Sequence, residues 1–160
     1  ASDAGADVIF APAVETIYPP DDPVAVPPLP GVATEPKLED RIRPGHFPGV
    51  CQVVSRLFDL VQPNSAVFGE KDYQQLRVIE MMVEQEHPRW RNLAIIRHET
   101  IREPDGLAMS SRNRYLQPEE RPMALGLSRA LNRVREHAAP DRDVRRLEEM
   151  MRAELVRHHS

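Results

Sequence analysis

Cysteine occurs once in 160 residues, at Cys51, which excludes an intramolecular disulfide and any cluster of thiolate metal ligands. A reduced, cytoplasmic setting is the expectation that follows. Neither sign of charge dominates: 21 Lys and Arg stand against 25 Asp and Glu, a formal net charge of −4, and so mild an acidity argues against broad nucleic-acid binding. No apolar run approaches the roughly 20 residues that span a bilayer, so no membrane partner is expected, and the opening Ala1-Ser2-Asp3 does not resemble a secretory signal. The six histidines show no recurring metal-ligand spacing, and no dedicated metal site is expected. A hydrophobic fraction of 41% with 29% charged residues suits one ordinary soluble domain or two small lobes sharing a core. A chain of this size buries roughly two-thirds of its unfolded surface without a staple. The absent initiating Met and the end at His158-His159-Ser160, just after a helical pattern, suggest part of a longer protein.

Proline is the residue in excess. Ten of the 16 prolines fall between Pro12 and Pro48, which forbids long helices there and predicts extended, irregular chain. Before it, Asp7-Val8-Ile9-Phe10-Ala11 reads as a short buried strand. From Phe47 the period becomes helical, through Val50, Cys51, Val54, Leu57, Phe58 and Val61, until Pro63 and Asn64. Ser65 to Gly69 reads as a buried strand, Asp72 as a residue that caps or charges the start of a second helix carrying Leu76, Ile79 and Val83, and Asn92 to Ile96 as another apolar strand. Strand, helix, strand predicts an α/β fold with a parallel sheet. After the loop at Glu103-Pro104-Asp105-Gly106 the pattern is helical. One helix opens at Pro118-Glu119-Glu120 and carries Met123, Leu127, Ala130, Leu131 and Val134; Pro140 and Asp141 break it, and a last helix carries Val144, Leu147, Met151 and Leu155. The expected boundary lies near residue 100, between an α/β lobe (1–100) and a smaller, mostly helical lobe (101–160).

Three segments could carry chemistry. In Val67-Phe68-Gly69-Glu70-Lys71-Asp72-Tyr73-Gln74-Gln75 an apolar strand runs into a helix start, and open α/β sheets bind ligands at the carboxyl ends of their strands. Free N–H groups there favour anions, so Lys71 could meet a phosphate where Gly69 lets the backbone approach. Gln75, one turn on, could hydrogen-bond a polar substrate group. Composition alone favours the plainer alternative, a solvated helix start with Glu70, Lys71 and Asp72 as surface charges. In Met109-Ser110-Ser111-Arg112, hydroxyls and a guanidinium suit an anion, although Ser110 as a helix cap and Arg112 as a surface charge explain them as well. Arg43 and His46, in the stiff loop Arg43-Pro44-Gly45-His46-Phe47-Pro48-Gly49, border a helix N-terminus where an anion or a His cap would both fit.

These segments in this order, RPGHFPGV (43–50), VFGEKDYQQL (67–76) and DGLAMSSRNRYL (105–116), together with FAPAVETIYPP (10–20), resemble the signatures of the pantoate–β-alanine ligase family. The resemblance covers nearly the whole chain. It implies a Rossmann-like nucleotidyltransferase fold and a two-step ligation in which pantoate attacks the α-phosphate of ATP and β-alanine then displaces AMP from the pantoyl adenylate. By resemblance, Gly69, Glu70, Lys71 and Asp72 contact ATP, with Lys71 on the phosphates as the catalytic charge and Asp72 on the ribose. Gln75 holds pantoate. Met109, Ser110, Ser111 and Arg112 match the family's variant of the phosphate-closing loop of nucleotidyltransferases, and Ile101 matches a position whose backbone lies at the adenine. Arg43 and His46 match positions bordering the cleft. Mg2+ is expected to arrive with ATP, and the complete enzyme is expected to be a homodimer in coenzyme A biosynthesis.

The family's His-x-Gly-His motif, whose histidines stabilise the adenylation transition state, is not in this sequence, nor is its upstream Gln or the closing strands of its C-terminal domain. The chain therefore resembles the middle of the enzyme, and the 160 residues by themselves are expected to be inactive, with apolar sheet surface uncovered. The alternatives are a non-catalytic nucleotide-binding or interaction fragment, and another adenylate-forming enzyme with a different acid. Gln75, which serves pantoate rather than ATP, favours the ligase.

Overall fold

The structure is a computed structural model and describes residues 2–21, 26–139 and 143–157. It divides between His98 and Glu99 into two compact units.

In the first unit the described residues of the proline-rich stretch before His46 form single turns: α1 (Val14–Ile17), a 3-10 turn at Gly31–Ala33 and α2 (Glu39–Ile42). Helix α3 (His46–Val61) follows the predicted period. It starts beyond Gly45, whose φ of 80° favours glycine, and carries Pro48 in its first turn, where the missing N–H has no intrahelical acceptor anyway. At its other end the N–H of Gln62 bonds the carbonyl of Phe58 at 2.8 Å before Pro63 stops the helix.

Strand β1 (Ser65–Gly69), helix α4 (Tyr73–Gln85) and strand β2 (Ala94–His98) form the predicted strand–helix–strand unit. The two strands are parallel, in register from Ser65 opposite Ala94 to Gly69 opposite His98. The second strand thus lies two residues later than the sequence pattern suggested. Phe47, Cys51 and Phe58 of α3 pack with Val78, Ile79, Met82 and Val83 of α4, and Ala66, Phe68 and Ile95 of the sheet lie against them. The rings of Phe68 and Trp90 both meet Phe58 edge-on, at 6.3 and 5.6 Å. Burial of each large apolar side chain contributes about 1.5–3 kcal/mol, and Trp90 keeps its indole N–H satisfied by Asp59 at 3.0 Å.

Three expectations for this unit are corrected. Asp7–Ala11 is not a strand: Val8, Ile9 and Phe10 are exposed and no described strand pairs with them, and a strand without a ladder leaves its backbone groups to water. Strand β1 is not buried on both faces, and its neighbour β2 shares the exposure. Alternation turns Ala66, Phe68 and Ile95 toward the core but leaves Val67 and Ile96 60% and 46% exposed, because no second layer among the described residues covers that side. Lastly, Asp72 stands at the N-cap of α4 as expected but makes no side-chain cap bond, and a 3-10 turn at Glu70–Asp72 precedes the helix.

The second unit begins with a small antiparallel bridge between Arg102 and Ala108, turning through Pro104, Asp105 and Gly106. Gly106 has a φ of 96°, which a side chain would strain. A 3-10 helix (Ser111–Tyr115) follows, then α5 (Arg121–Ala124), α6 (Gly126–His137) and α7 (Val144–Arg157), with α6 packed on α7. The single helix expected from Pro118 is instead a turn and two helices that break at Leu125, just before the poor helix former Gly126. Met123, Leu127 and Leu131 are exposed, whereas Leu125, Ser128 and Ala130 are buried. The expected breaker at Pro140 and Asp141 and the terminal histidines lie outside the described residues. Among those described, no helix is long and apolar enough to cross a membrane.

Candidate active site

The first group of predicted residues gathers where β1 ends. Gly69 has an extended backbone, and a Cβ added to it would meet no protein atom within 4 Å, so the chain here has room beside it. Glu70 to Asp72 make the 3-10 turn, and Lys71 and Asp72 are exposed. No described residue pairs with the Lys71 ammonium. Gln75 lies in the first turn of α4, half-buried, its amide likewise free of protein partners among the described residues. The amide stands at the strand end where α/β folds bind ligands, open to a polar group.

Its neighbour Gln74 is engaged on both sides. The Gln74 Oε1 accepts the backbone N–H of Glu39 at 3.2 Å, and its Nε2 donates to the carbonyl of Val32 at 3.0 Å. Because adjacent helical residues point about 100° apart, this staple fixes the direction in which Gln75 projects. It also ties α4 to α2, where Glu39 pairs with Arg43 at 2.9 Å. His46 is the first residue of α3; it is half-buried, and its ring is tilted on Phe47 at 5.1 Å. It does not cap the helix: Gly45 occupies that position. Arg43 is thus linked through Glu39 to Gln74, a residue inside a motif read for its other members, and the His46 N–H bonds the Arg43 carbonyl at 3.1 Å.

One turn further along α4, Glu80 accepts two hydrogen bonds from Arg97 of β2, at 2.6 and 2.8 Å, and pairs with Arg77. Arg97 foremost, with Arg77, holds the Glu80 carboxyl below the usual carboxylate range. A cavity of about 480 Å³ lined by Phe58, Asn64, Trp90 and Asn92 opens at the amino ends of both strands, the opposite end from Gly69 and His98, and has no claim on the chemistry.

The second group lies in the second unit. Ile101 is exposed, and its carbonyl accepts the N–H of Met109 at 2.9 Å, placing those two predicted residues side by side. Ser110 caps the 3-10 helix: its Oγ accepts the N–H of Arg112 at 3.2 Å, as the plainer reading required. Ser111 and Arg112 are exposed, and the Arg112 guanidinium pairs with no described residue. Arg114 lies over the ring of Tyr115 at 4.8 Å.

Behind this turn is a polar hub. Glu103 accepts from Asn113 on one carboxylate oxygen at 2.5 Å and from Arg121 on the other, while Arg121 Nε donates to Asp105 at 2.6 Å. Arg121 is the main cause that lowers the pKa of both Glu103 and Asp105, and the two carboxylates raise that of Arg121. Sequence reading missed Gln74, Glu103, Asn113 and Arg121. Only the concentration of Asp, Asn and Arg around Gly106 hinted at the hub.

Against known proteins, the family model described as pantoate-beta-alanine ligase matches residues 1–160. The pantothenate synthetase of Nocardioides sp. (strain ATCC BAA-499 / JS614) is 51% identical over 138 residues, which are 84% of this chain and 39% of that protein. That of Aquifex aeolicus (strain VF5) is 46% identical over 157 residues, 96% of this chain and 53% of its own length. The crystal structure of pantothenate synthetase from Thermus thermophilus superposes with a TM-score of 0.87 at 43% identity, covering 98% of this chain and 55% of that one. A Francisella tularensis pantoate-beta-alanine ligase, complexed with beta-gamma ATP and beta-alanine, gives 0.70 at 31% identity, over 96% of this chain and 55% of that one. The chain therefore spans about half the length of the relatives it matches. With a family match along its whole length and an α/β fold shared with solved relatives, this chain belongs to the pantoate–β-alanine ligase family.

Proposed function

We propose that the complete protein to which these 160 residues belong joins pantoate to β-alanine at the expense of ATP. The observation that carries this reading is the family match over residues 1–160; the unpartnered Lys71 and Gln75 at the end of β1 agree with it. In the first step a pantoate carboxylate oxygen attacks the α-phosphorus, the bond from that phosphorus to the bridging oxygen breaks, and pyrophosphate leaves. In the second, the β-alanine amine attacks the acyl carbon, the acyl–oxygen bond breaks, the amine loses a proton, and AMP leaves.

Each residue has a part in this scheme. Lys71 lowers the cost of the negative charge that gathers on the phosphates. Gly69 and Glu70 supply the floor beside it, and Asp72 takes the ribose. Gln75 hydrogen-bonds pantoate, with Arg43 and His46 at the cleft edge. Ser110, Ser111 and Arg112 bind phosphate oxygens, Met109 borders the nucleotide, and the Ile101 backbone meets the adenine. Magnesium enters as part of the nucleotide substrate, coordinated by its phosphates. On this reading residues 1–100 are part of a nucleotide-binding domain, 101–160 begin the C-terminal domain, and the whole is a cytoplasmic homodimer on the route to coenzyme A.

The test is product analysis on the full-length protein with all three substrates. Equal yields of pantothenate, AMP and pyrophosphate are expected, with none from residues 1–160 alone. Release of ADP and phosphate, or no pantoate-dependent turnover, would overturn the proposal.

A further inference from the structure

The Met109–Arg112 turn has almost no apolar anchor. Ile101, Met109 and Tyr115 are 53%, 55% and 65% exposed, so burial does not fix its shape. Polar bonds do, and they converge on Glu103. Asn113 reaches back from the 3-10 helix to Glu103 and also donates to the carbonyl of Ala108 at 3.0 Å. Arg121 closes the other side by gripping Glu103 and Asp105 together. Successive residues of a 3-10 helix point about 120° apart. With Asn113 held inward, Ser111 and Arg112 are held outward, and neither takes part in the hub.

We propose that Glu103, Asn113 and Arg121 are positioning residues that set the nucleotide-binding geometry of Ser110, Ser111 and Arg112. They act through the turn and do not touch the triphosphate. The inference rests on the reading of that turn as the phosphate loop, and it adds the part of the molecule that holds the loop in shape. A fixed guanidinium spends less entropy on binding than a free one, and a small misplacement of a charge-stabilising group is costly to rate and affinity.

Steady-state kinetics on full-length enzyme, with amide hydrogen exchange over residues 108–115 in the absence of nucleotide, test it. Arg121→Met and Asn113→Leu should each raise KM for ATP about tenfold while KM for pantoate stays within about twofold, and both should speed exchange across the turn. Arg121→Lys should recover most of the loss, and the double variant should be little worse than either single one, since both act through Glu103. Glu103→Gln, which keeps an acceptor for Asn113, should fall between parent and Arg121→Met and serves if the latter fails to fold. Unchanged exchange, or KM values for ATP and pantoate that rise together or not at all, would overturn the inference. If the unmodified enzyme makes no pantothenate, the functional reading fails first, and the exchange measurement still decides whether these residues hold the turn.

Discussion

Lys71 and Gln75 are four residues apart at the start of α4, both without a protein partner among the described residues, yet the proposed function gives them different substrates. If Lys71 works on charge that develops on phosphate, as proposed, Lys71→Met in the full-length enzyme should lower kcat by about 10²–10³-fold. If Gln75 offers neutral hydrogen bonds to the bound acid, as proposed, Gln75→Leu should raise KM for pantoate about tenfold or more and leave KM for ATP near its parent value. Kinetics with each substrate varied in turn separate the two; an unchanged kcat in Lys71→Met, or a Gln75→Leu that raises KM for ATP as much as KM for pantoate, would contradict the assignment. Cys51 is the opposite kind of residue. It is wholly buried between α3 and α4, and burial pushes its thiol up to about 11, leaving about a thousandth as thiolate at pH 8. A disulfide reagent at pH 8 should therefore label it only after denaturant unfolds the chain, and prompt labelling of the native protein would show the packing to be wrong. The single cysteine was legible as a reduced thiol from its count alone, whereas its inertness depends on neighbours that only packing supplies.

Between elements, the link from α4 to β2 is ionic: Glu80 is bound by Arg97 and Arg77. A carboxyl held below its ordinary range stabilises the fold above that range, and the contribution is lost as pH falls through the lowered value. Glu80→Gln should thus be less stable than the parent at neutral pH, with the gap in denaturant midpoint closing as acid protonates Glu80 in the parent. Because both arginines are more than a third exposed, the gap should be small and should shrink in salt. A gap that persists unchanged into acid would contradict the ionic account. Helix α3, β1 and α4 were legible because proline, glycine and apolar period agreed over whole elements. Asp7–Ala11 was not, because an apolar run becomes a strand only beside a partner strand, and sequence does not say which partners are present. The same holds for Gln74 and Glu103: their bonds join residues 10 to 42 positions apart, a separation that leaves no local pattern.

At the scale of the molecule, motifs pointed to the family before any contact was known, since three short signatures in order constrain a family more than any one site does. Coordinates add how the pieces are held: Gln74 directs Gln75, and Glu103 with Arg121 braces the Ser110–Arg112 turn. They also leave Val67 and Ile96 bare on one sheet face, the kind of apolar surface that soluble domains cover. On the proposed function, pantoate is activated by attack of its own carboxylate on the α-phosphate. Pantoate labelled with 18O in both carboxylate oxygens, turned over by full-length enzyme with ATP and β-alanine, tests it most directly. Mass spectrometry should find one 18O in each AMP and none in pyrophosphate; label in pyrophosphate, or AMP free of label, would contradict the account.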